Sequence, residues 1–290
     1  MASLHQNTDY GDTASNVRVK PLTGSVGASL TGIDLTTEIK SSEADALRSA
    51  LYENCVLILP GQFLEPADHL RLAEVFGEPF LPHYYAANTL DGYPSIAIVP
   101  NFGKERAPAE AWHTDWSHLS TPPTVSVARA HVLPETGGDT MFSNQYHAYD
   151  RLSAGMKHLI AGRRAKFVGS RPIAVEKMEG KPDTLPASRR ESVVNCHPIA
   201  QTHPHTGRTA LYLNRPGGAA VAIEGLTEAE SLPILQFLYD QSVTPDNVYR
   251  HQWQTGDVVC WDNRCAMHYG VHDYGDVERT LHRVTVGGVE

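Results

Sequence analysis

The sequence has few cysteines, and none of them form a cluster. Cys55, Cys196, Cys260 and Cys265 are the four present, and no two are spaced as C-x-x-C. Cys55 and Cys260 lie in the apolar runs CVLIL and VVCW. The missing C-x-x-C spacing leaves no cysteine metal or redox motif, and we predict buried free thiols in a reducing compartment.

Long apolar runs and basic runs are also missing. No stretch approaches the roughly 18 apolar residues that span a bilayer, and the first residues, MASLHQNTDYGDTASN, lack the apolar core of a signal peptide. No Lys/Arg run exceeds two residues, and the formal net charge is −9. We therefore expect a soluble cytoplasmic protein without membrane or nucleic-acid partners, in which a local arginine attracts any anionic substrate.

Two common catalytic signatures are absent as well. The sequence contains no G-x-S-x-G elbow and no Walker-type phosphate loop. Acyl transfer by a nucleophilic serine and hydrolysis of nucleoside triphosphates therefore have no support from motifs.

The overall composition is that of an ordinary globular protein. Hydrophobic residues make up 41% and charged residues 20% of 290 residues, enough for one large core. We predict a mobile tail over 1–16 and a single domain over 17–290. Two polar segments, 79–111 and 170–191, are candidates for active-site lids, and ordinary surface loops are the alternative.

Short strands separated by glycine and proline turns dominate the chain after Pro123. Helical spacing appears at 41–54 and 66–76, and again at 227–242, where a T-x-x-E capping box begins the segment. Pro233 argues against regular helix in the first two turns of that last segment. The fold class predicted is mainly β with flanking helices, a double-stranded β-helix (jelly-roll, cupin-like) barrel.

The stretch AWHTDWSH places His113 and Asp115 two positions apart. On a strand, residues i and i+2 point to the same face, so an imidazole nitrogen and a carboxylate oxygen would converge there. A hydrogen-bonded pair, an acid–base pair and part of a metal site all remain open at this point.

A second stretch, GDVVCWDNRCAMHYG, carries His268 after an apolar strand and a polar turn. His268 follows Asp115 by 153 positions, and a jelly-roll brings such distant strands face to face. Together with His113 they are candidates for a two-histidine, one-carboxylate triad. That ligand set leaves coordination positions open and suits non-haem Fe(II) oxygen chemistry.

Several segments then occur in a recognisable order along nearly the whole chain. They are LTGIDL, LILPGQ, FGEP, WHTDWS, PETGGDT, HPHTGR, LQFLYD, WDNRCAMH and ERTLHRVTVGG. This ordered set resembles the taurine dioxygenase/TfdA family of Fe(II)- and 2-oxoglutarate-dependent dioxygenases. The tail and the segment 227–242 look closer to members that act on aryloxyalkanoates than to taurine dioxygenase.

The resemblance implies a role for each matching residue. The metal ligands fall on His113, Asp115 and His268. Thr140 and Arg279 fall where the family holds the distal carboxylate of 2-oxoglutarate. Arg283 falls where the family faces the acidic group of the substrate or the co-substrate side of the pocket.

The implied reaction is oxidation of an unactivated C–H bond in a small organic substrate bearing an acidic or polar group. Hydroxylation, leading also to C–O or C–S cleavage, desaturation or rearrangement, would accompany conversion of 2-oxoglutarate and O2 to succinate and CO2. Two rivals remain: a zinc hydrolase using the same three ligands, and a non-catalytic ligand-binding barrel. The sequence itself leaves the oligomeric state open, but the family often self-associates, so the resemblance also allows a homo-oligomer.

The substrate side departs from the taurine pattern. Ala109 stands where taurine dioxygenase has an asparagine, and the bulky Trp116 follows the metal aspartate, so taurine is in doubt. The candidate substrate residues, predicted to suit a flat or carbocyclic molecule, are His83, Tyr84, Tyr85, Trp116 and Arg283. His203 and His205 form an H-x-H, but the adjacent Pro-His-Thr-Gly sequence places them in a hairpin loop without a metal.

Overall fold

The computed structural model describes residues 16–81, 88–101, 110–172 and 190–288. Almost all of the predicted tail 1–16 lies outside these ranges, as do central parts of both lid candidates, 79–111 and 170–191. Within the described ranges, no helix combines the length and the apolar character needed to span a bilayer.

The described parts of the chain form five α-helices. They are α1 Ser41–Asn54, α2 Pro66–Glu74, α3 Gln145–Asp150, α4 Ala154–Ile160 and α5 Glu228–Ser242. The predicted helices α1, α2 and α5 are confirmed to within two residues, whereas α3 and α4 were not predicted. The capping box at Thr227 is present, and Pro233 lies inside α5 without ending it.

Seventeen strands occur in the same described ranges. They are β1 Arg18–Pro21, β2 Ala28–Thr31, β3 Val56–Leu59, β4 Pro79–Phe80, β5 Thr89–Leu90, β6 Tyr93–Pro100, β7 Val125–Val132, β8 Thr140–Asn144, β9 Arg164–Pro172, β10 Arg190–Pro198, β11 Ala200–Thr202, β12 Thr209–Leu211, β13 Ala220–Ile223, β14 Val248–His251, β15 Val258–Asp262, β16 Ala266–Gly270 and β17 Thr280–Val286.

One large sheet and one small sheet define the architecture. The large sheet has the order β1-β2-β3-β15-β7-β17-β6-β5, with β4 also paired to β17. Its described pairs are antiparallel except for β2 with β3. The small sheet has the order β14-β8-β16, and β10-β9-β13 and the hairpin β11-β12 complete the strands described.

Alternation along the strands of the large sheet separates its two faces. On β15, Val258 and Cys260 join the core formed with α1 and α2, whereas Val259 and Trp261 belong to a second core. That second core includes Phe142 of β8, whose ring centroid lies 5.7 Å from that of Trp261. The small sheet therefore faces the large one, and α1 and α2 cover the outer side of the large sheet. The predicted jelly-roll barrel is confirmed.

The same alternation decides which polar side chains enter the barrel. On β7, Val125 and Val127 pack in the outer core, so Ser126 between them points to the interior. On β17, Val284 and Val286 pack outward in the same way, which turns Arg283 inward. Ser126 and Arg283 are therefore carried into the interior by strands whose other face is apolar.

Candidate active site

His113 and Asp115 do not lie in a regular strand, which corrects the prediction made from their spacing. His113 forms an isolated β-bridge with His268 on β16, and Asp115 lies in the turn that follows. The bridge is held in both directions, because the His113 amide donates to the His268 carbonyl at 3.0 Å and the His268 amide donates back at 2.8 Å. The two histidines are therefore neighbours because of backbone pairing across 155 positions.

The side chains of this pair and of Asp115 converge. Nε2 of His113 lies 3.9 Å and Nε2 of His268 lies 3.8 Å from Oδ1 of Asp115. Among the residues described, these three form a group whose possible ligand atoms all lie within 4.8 Å of one another. Two donors that each bind an ion at about 2.1 Å lie at most about 4.2 Å apart, so both measured distances suit ligands of one ion.

The hydrogen bonds and charges of the three side chains also fit a divalent metal. Nδ1 of His113 lies 2.7 Å from the Ala111 carbonyl oxygen, which only accepts, so Nδ1 carries the proton and Nε2 presents a lone pair. Burial lowers the pKa of both His113 and His268. Burial acts to raise the pKa of Asp115, but the guanidinium of Arg283 and the neighbouring groups lower it well below its usual range. Neutral imidazoles and an ionised carboxylate are the forms that bind metal.

Arg283 lies at the edge of this group and contacts Oδ1 of Asp115, the oxygen that faces the two imidazoles. Its Nη1 donates to Oδ1 at 2.9 Å. The guanidinium carbon lies 5.1 Å from the centroid of the Trp116 ring, a cation–π contact. Phe80 meets the same indole edge-on, with 6.3 Å between centroids. Arg283 and Trp116, both predicted as substrate residues, are thus adjacent to one another and to the triad.

Trp116 adopts a backbone conformation that bulky residues rarely take. Its φ is +43°, in the left-handed region, and strained bulky residues tend to cluster at functional sites. The turn that carries Asp115 into the triad therefore also directs the Trp116 ring onto Arg283.

Arg279 lies just before β17 and is only 7% exposed. Its Nε donates to the Gly138 carbonyl at 2.9 Å, and among the described residues no carboxylate lies within ion-pair distance of it. The nearby carboxylates of Asp139 and Asp273 are instead both held by Arg250, at 2.6 and 2.9 Å. A buried guanidinium without a carboxylate partner suits an anionic ligand.

Thr140 begins β8, two residues after the carbonyl that holds Arg279. Its Oγ1 accepts a hydrogen bond from Nε1 of Trp253 at 3.0 Å, and its side chain is buried. Because the indole can only donate, the threonine hydroxyl keeps its own hydrogen for another acceptor. The predicted co-substrate residues Thr140 and Arg279 are therefore connected through the short segment 138–140.

Several predicted substrate positions cannot be placed by the structure. His83, Tyr84 and Tyr85 lie outside the described residues, and so does Ala109. Their roles remain predictions from the sequence.

The structure also brings to the site residues that were not predicted from the sequence. Ser126 donates to Oδ2 of Asp115 at 2.7 Å, and Asn263 donates to Ser126 at 3.0 Å. Asn263 belongs to the polar turn within GDVVCWDNRCAMHYG, and this turn is a sequence feature that could have indicated it. Ser126 had only the alternation of PTVSVARA as a signal, and Trp253 had none.

The H-x-H pair lies in a hairpin connection, as predicted. β11 and β12 form the predicted hairpin, and His203 and His205 lie in its connection. His203 is fully buried, however, with Nε2 3.0 Å from Oδ2 of Asp262. His203 is thus a structural residue, and the described residues contain no second group with metal-ligand spacing.

Comparison with known proteins assigns this chain to a family. Residues 18–285 match the family described as "Taurine catabolism dioxygenase TauD, TfdA family". The chain is 33% identical over 278 residues to an alkylsulfatase of Acinetobacter baylyi, covering 94% of this chain and 85% of that one. It is 29% identical over 287 residues to an alpha-ketoglutarate-dependent sulfate ester dioxygenase of Pseudomonas putida, covering 95% and 91%.

A solved structure agrees with these sequence matches. A taurine dioxygenase from Burkholderia xenovorans superposes with a TM-score of 0.80 at 31% identity, covering 94% of this chain and 90% of that one. Alpha-ketoglutarate is another name for 2-oxoglutarate, the co-substrate that the motif order implied. The chain therefore belongs to the taurine dioxygenase/TfdA family and is an alpha-ketoglutarate-dependent dioxygenase.

Proposed function

We propose that this enzyme uses Fe(II), O2 and 2-oxoglutarate to oxidise a C–H bond of a small organic anion, with organic sulfate esters as the substrate class. The observation that carries the proposal is the convergence of His113, Asp115 and His268, with all three possible ligand atoms within 4.8 Å of one another. Two imidazoles and one carboxylate suit non-haem Fe(II) and leave coordination positions for co-substrates.

Residues around the triad bind and orient 2-oxoglutarate. The chemistry that ferrous iron supplies when bound is activation of O2, coupled to decarboxylation of 2-oxoglutarate to succinate and CO2. Arg279 offers a buried guanidinium to the distal carboxylate of the keto acid, and the Thr140 hydroxyl donates a second hydrogen bond there. Their fixed neighbours, the Gly138 carbonyl and the Trp253 indole, orient them before the co-substrate arrives.

The substrate anion is assigned to Arg283. Its guanidinium lies beside the triad and against the face of Trp116, so an anionic group bound there would hold the adjacent carbon close to the reacting centre. An acidic protein with a net charge of −9 requires such a local cation to attract an anion. Trp116 and Phe80 provide apolar surface for the rest of the substrate.

Hydroxylation next to an ester oxygen explains how an oxygenase cleaves a sulfate ester. A primary alkyl sulfate, R–CH2–O–SO3⁻, gains one oxygen from O2 to become R–CH(OH)–O–SO3⁻. That product collapses as the C–O bond to sulfate breaks and the hydroxyl proton leaves, giving the aldehyde R–CHO and hydrogen sulfate. The names of two relatives, an alkylsulfatase and a sulfate ester dioxygenase, support this substrate class.

Product analysis separates oxidative cleavage from the rival zinc hydrolase. We expect a medium-chain alkyl sulfate, incubated with Fe(II), 2-oxoglutarate and air, to give aldehyde, sulfate and succinate in equal amounts. A hydrolase would give the alcohol and sulfate without 2-oxoglutarate, and that result would contradict the reaction class. Succinate coupled to an aryloxyacetate or a sulfonate, but not to the sulfate ester, would keep the reaction class and overturn the substrate class.

A further inference from the structure

The turn Trp261-Asp262-Asn263-Arg264 at the end of β15 supplies no triad or co-substrate residue, although the Trp261 ring packs on that of His268 with 4.8 Å between centroids. Its side chains alternate in their contacts. Asp262 and Arg264 bond to each other, and Asp262 also contacts the hairpin at His203. Trp261 and Asn263 face the opposite way, toward the segment that carries Asp115.

Hydrogen bonds run without interruption from this turn to Asp115. Nε1 of Trp261 donates to Oδ1 of Asn263 at 3.1 Å, and Nδ2 of Asn263 donates to Oγ of Ser126 at 3.0 Å. Ser126 then donates to Oδ2 of Asp115 at 2.7 Å. All four residues are buried, and Ser126 is fully so.

The direction of every bond in this chain is fixed. The indole can only donate, so Asn263 must present its oxygen to it and its amide nitrogen to Ser126. An ionised carboxylate can only accept, so the Ser126 hydroxyl hydrogen must point to Asp115. Neither the amide nor the hydroxyl can reverse without losing a buried hydrogen bond.

Asn263 also holds the backbone around Asp115, which has no strand to hold it. Its backbone carbonyl accepts a hydrogen bond from the Thr114 hydroxyl at 2.8 Å, and its backbone N–H donates to the Thr124 carbonyl at 2.8 Å. Its side-chain oxygen lies 3.4 Å from the amide nitrogen of Asp115. The turn therefore replaces, for this segment, the pairing that a regular strand would provide.

We propose that Ser126, oriented by Asn263 and Trp261, is a positioning residue that fixes the rotation of the Asp115 carboxylate. With Oδ2 bound to Ser126, the other oxygen, Oδ1, is the one that lies 3.8 and 3.9 Å from the two imidazole nitrogens. Groups that orient a metal-binding carboxylate commonly contribute tenfold to a hundredfold to metal affinity. The inference rests on the proposed function, because it assumes that Asp115 binds the metal.

The test measures metal affinity, not turnover. Metal-free wild-type protein and Ser126→Ala are titrated with Co(II), and the dissociation constant is read from the visible spectrum. We expect Ser126→Ala to bind Co(II) about tenfold to a hundredfold more weakly, and Ser126→Thr, which restores a hydroxyl, to recover most of the affinity. Wild-type affinity in Ser126→Ala would overturn the positioning role.

Ser242→Ala is the matched control. Ser242 is also fully buried and donates one hydrogen bond, to the Leu238 carbonyl at 2.8 Å within α5, away from the triad. It should lower the melting temperature of the metal-free protein without changing Co(II) affinity. Equal losses of Co(II) affinity in Ser242→Ala and Ser126→Ala would mean that a buried serine matters only for stability, and would contradict the inference.

Two further variants keep the result decisive. Trp261→Phe retains an aromatic ring and removes the indole N–H, the first donor of the chain, together with part of the ring that packs on Phe142 and His268. We expect it to weaken Co(II) binding about twofold to fivefold, and unchanged affinity would count against the chain. His268→Ala tests the proposed function separately. If His268→Ala binds Co(II) as the wild type does, the triad is wrong. If His268→Ala loses Co(II) binding while Ser126→Ala keeps the wild-type affinity, only the positioning role is overturned.

Discussion

At the scale of single residues, the co-substrate pocket depends on a glycine as much as on an arginine. Gly138 has φ +74°, and a Cβ built on it would lie 2.8 Å from both Cδ and Nε of Arg279. Its carbonyl meanwhile accepts the hydrogen bond from that Nε. The GGDT segment therefore serves Arg279 by leaving space for its side chain and by holding one end of the guanidinium.

Gly138→Ala should raise the 2-oxoglutarate concentration required for half-maximal activity by about tenfold or more, because a displaced Arg279 loses charge-assisted hydrogen bonds. Steady-state kinetics with varied 2-oxoglutarate measure this effect.

Gly162→Ala is the control for backbone strain alone. Gly162 has φ +70°, yet a Cβ there meets nothing within 4 Å. Both variants should lose about 1 kcal/mol or more of unfolding free energy from left-handed strain, and only Gly138→Ala should change the co-substrate requirement. An unchanged requirement in Gly138→Ala would show that Arg279 does not hold 2-oxoglutarate.

At the scale of elements, the hairpin β11-β12 is fastened to β15 by a buried hydrogen bond from His203 to Asp262. Nε2–H of His203 faces Asp262, and Nδ1 accepts from the backbone amides of His205 and Thr206 at 3.3 Å. Asp262 also receives three hydrogen bonds from Arg264, from the backbone amide and from Nε at 2.9 Å each, and from Nη2. The imidazole thus closes the turn and joins it to the strand whose end carries Asn263.

His203→Ala should lower the free energy of unfolding by about 3 kcal/mol, because it leaves Asp262 buried without one of its partners. Urea unfolding measures the loss, and amide hydrogen exchange should quicken across residues 200–211. His205→Ala is the neighbouring control, since His205 is exposed and makes only ring contacts, with Tyr52 at 4.5 Å and His203 at 5.6 Å among the described residues. We expect it to cost under about 1 kcal/mol; equal costs would refute the fastening role.

The elements also show where local sequence rules hold and where they do not. Pro233 fits inside α5 because the carbonyl it leaves without a partner belongs to Ala229, which is exposed and can bond to water. α3 and α4 have only six and seven residues, too short for a clear helical period. Each is started instead by a side-chain cap, at Asn144 and Ser153.

At the scale of the whole molecule, the sequence predicted the fold and the three triad residues. It did not predict the backbone conformation at Asp115 or the contacts around it. Apolar alternation and the ordered motifs predicted the barrel, and the barrel predicted that His268 lies near His113. The turn at Asp115 was mistaken for a strand because H-x-D spacing alone does not show which partner the backbone pairs with. The role proposed for Ser126 was not predicted for a related reason, since it depends on a hydrogen bond from Asn263, 137 positions away.

The metal centre is tested most directly by adding Fe(II) and 2-oxoglutarate to the metal-free protein in the absence of oxygen. If His113, Asp115 and His268 hold the ion while Arg279 holds the keto acid, a weak visible charge-transfer band should develop in the wild type and be absent from His268→Ala. A wild-type protein that gives no band with both additions, or a His268→Ala variant that gives the wild-type band, would contradict the account.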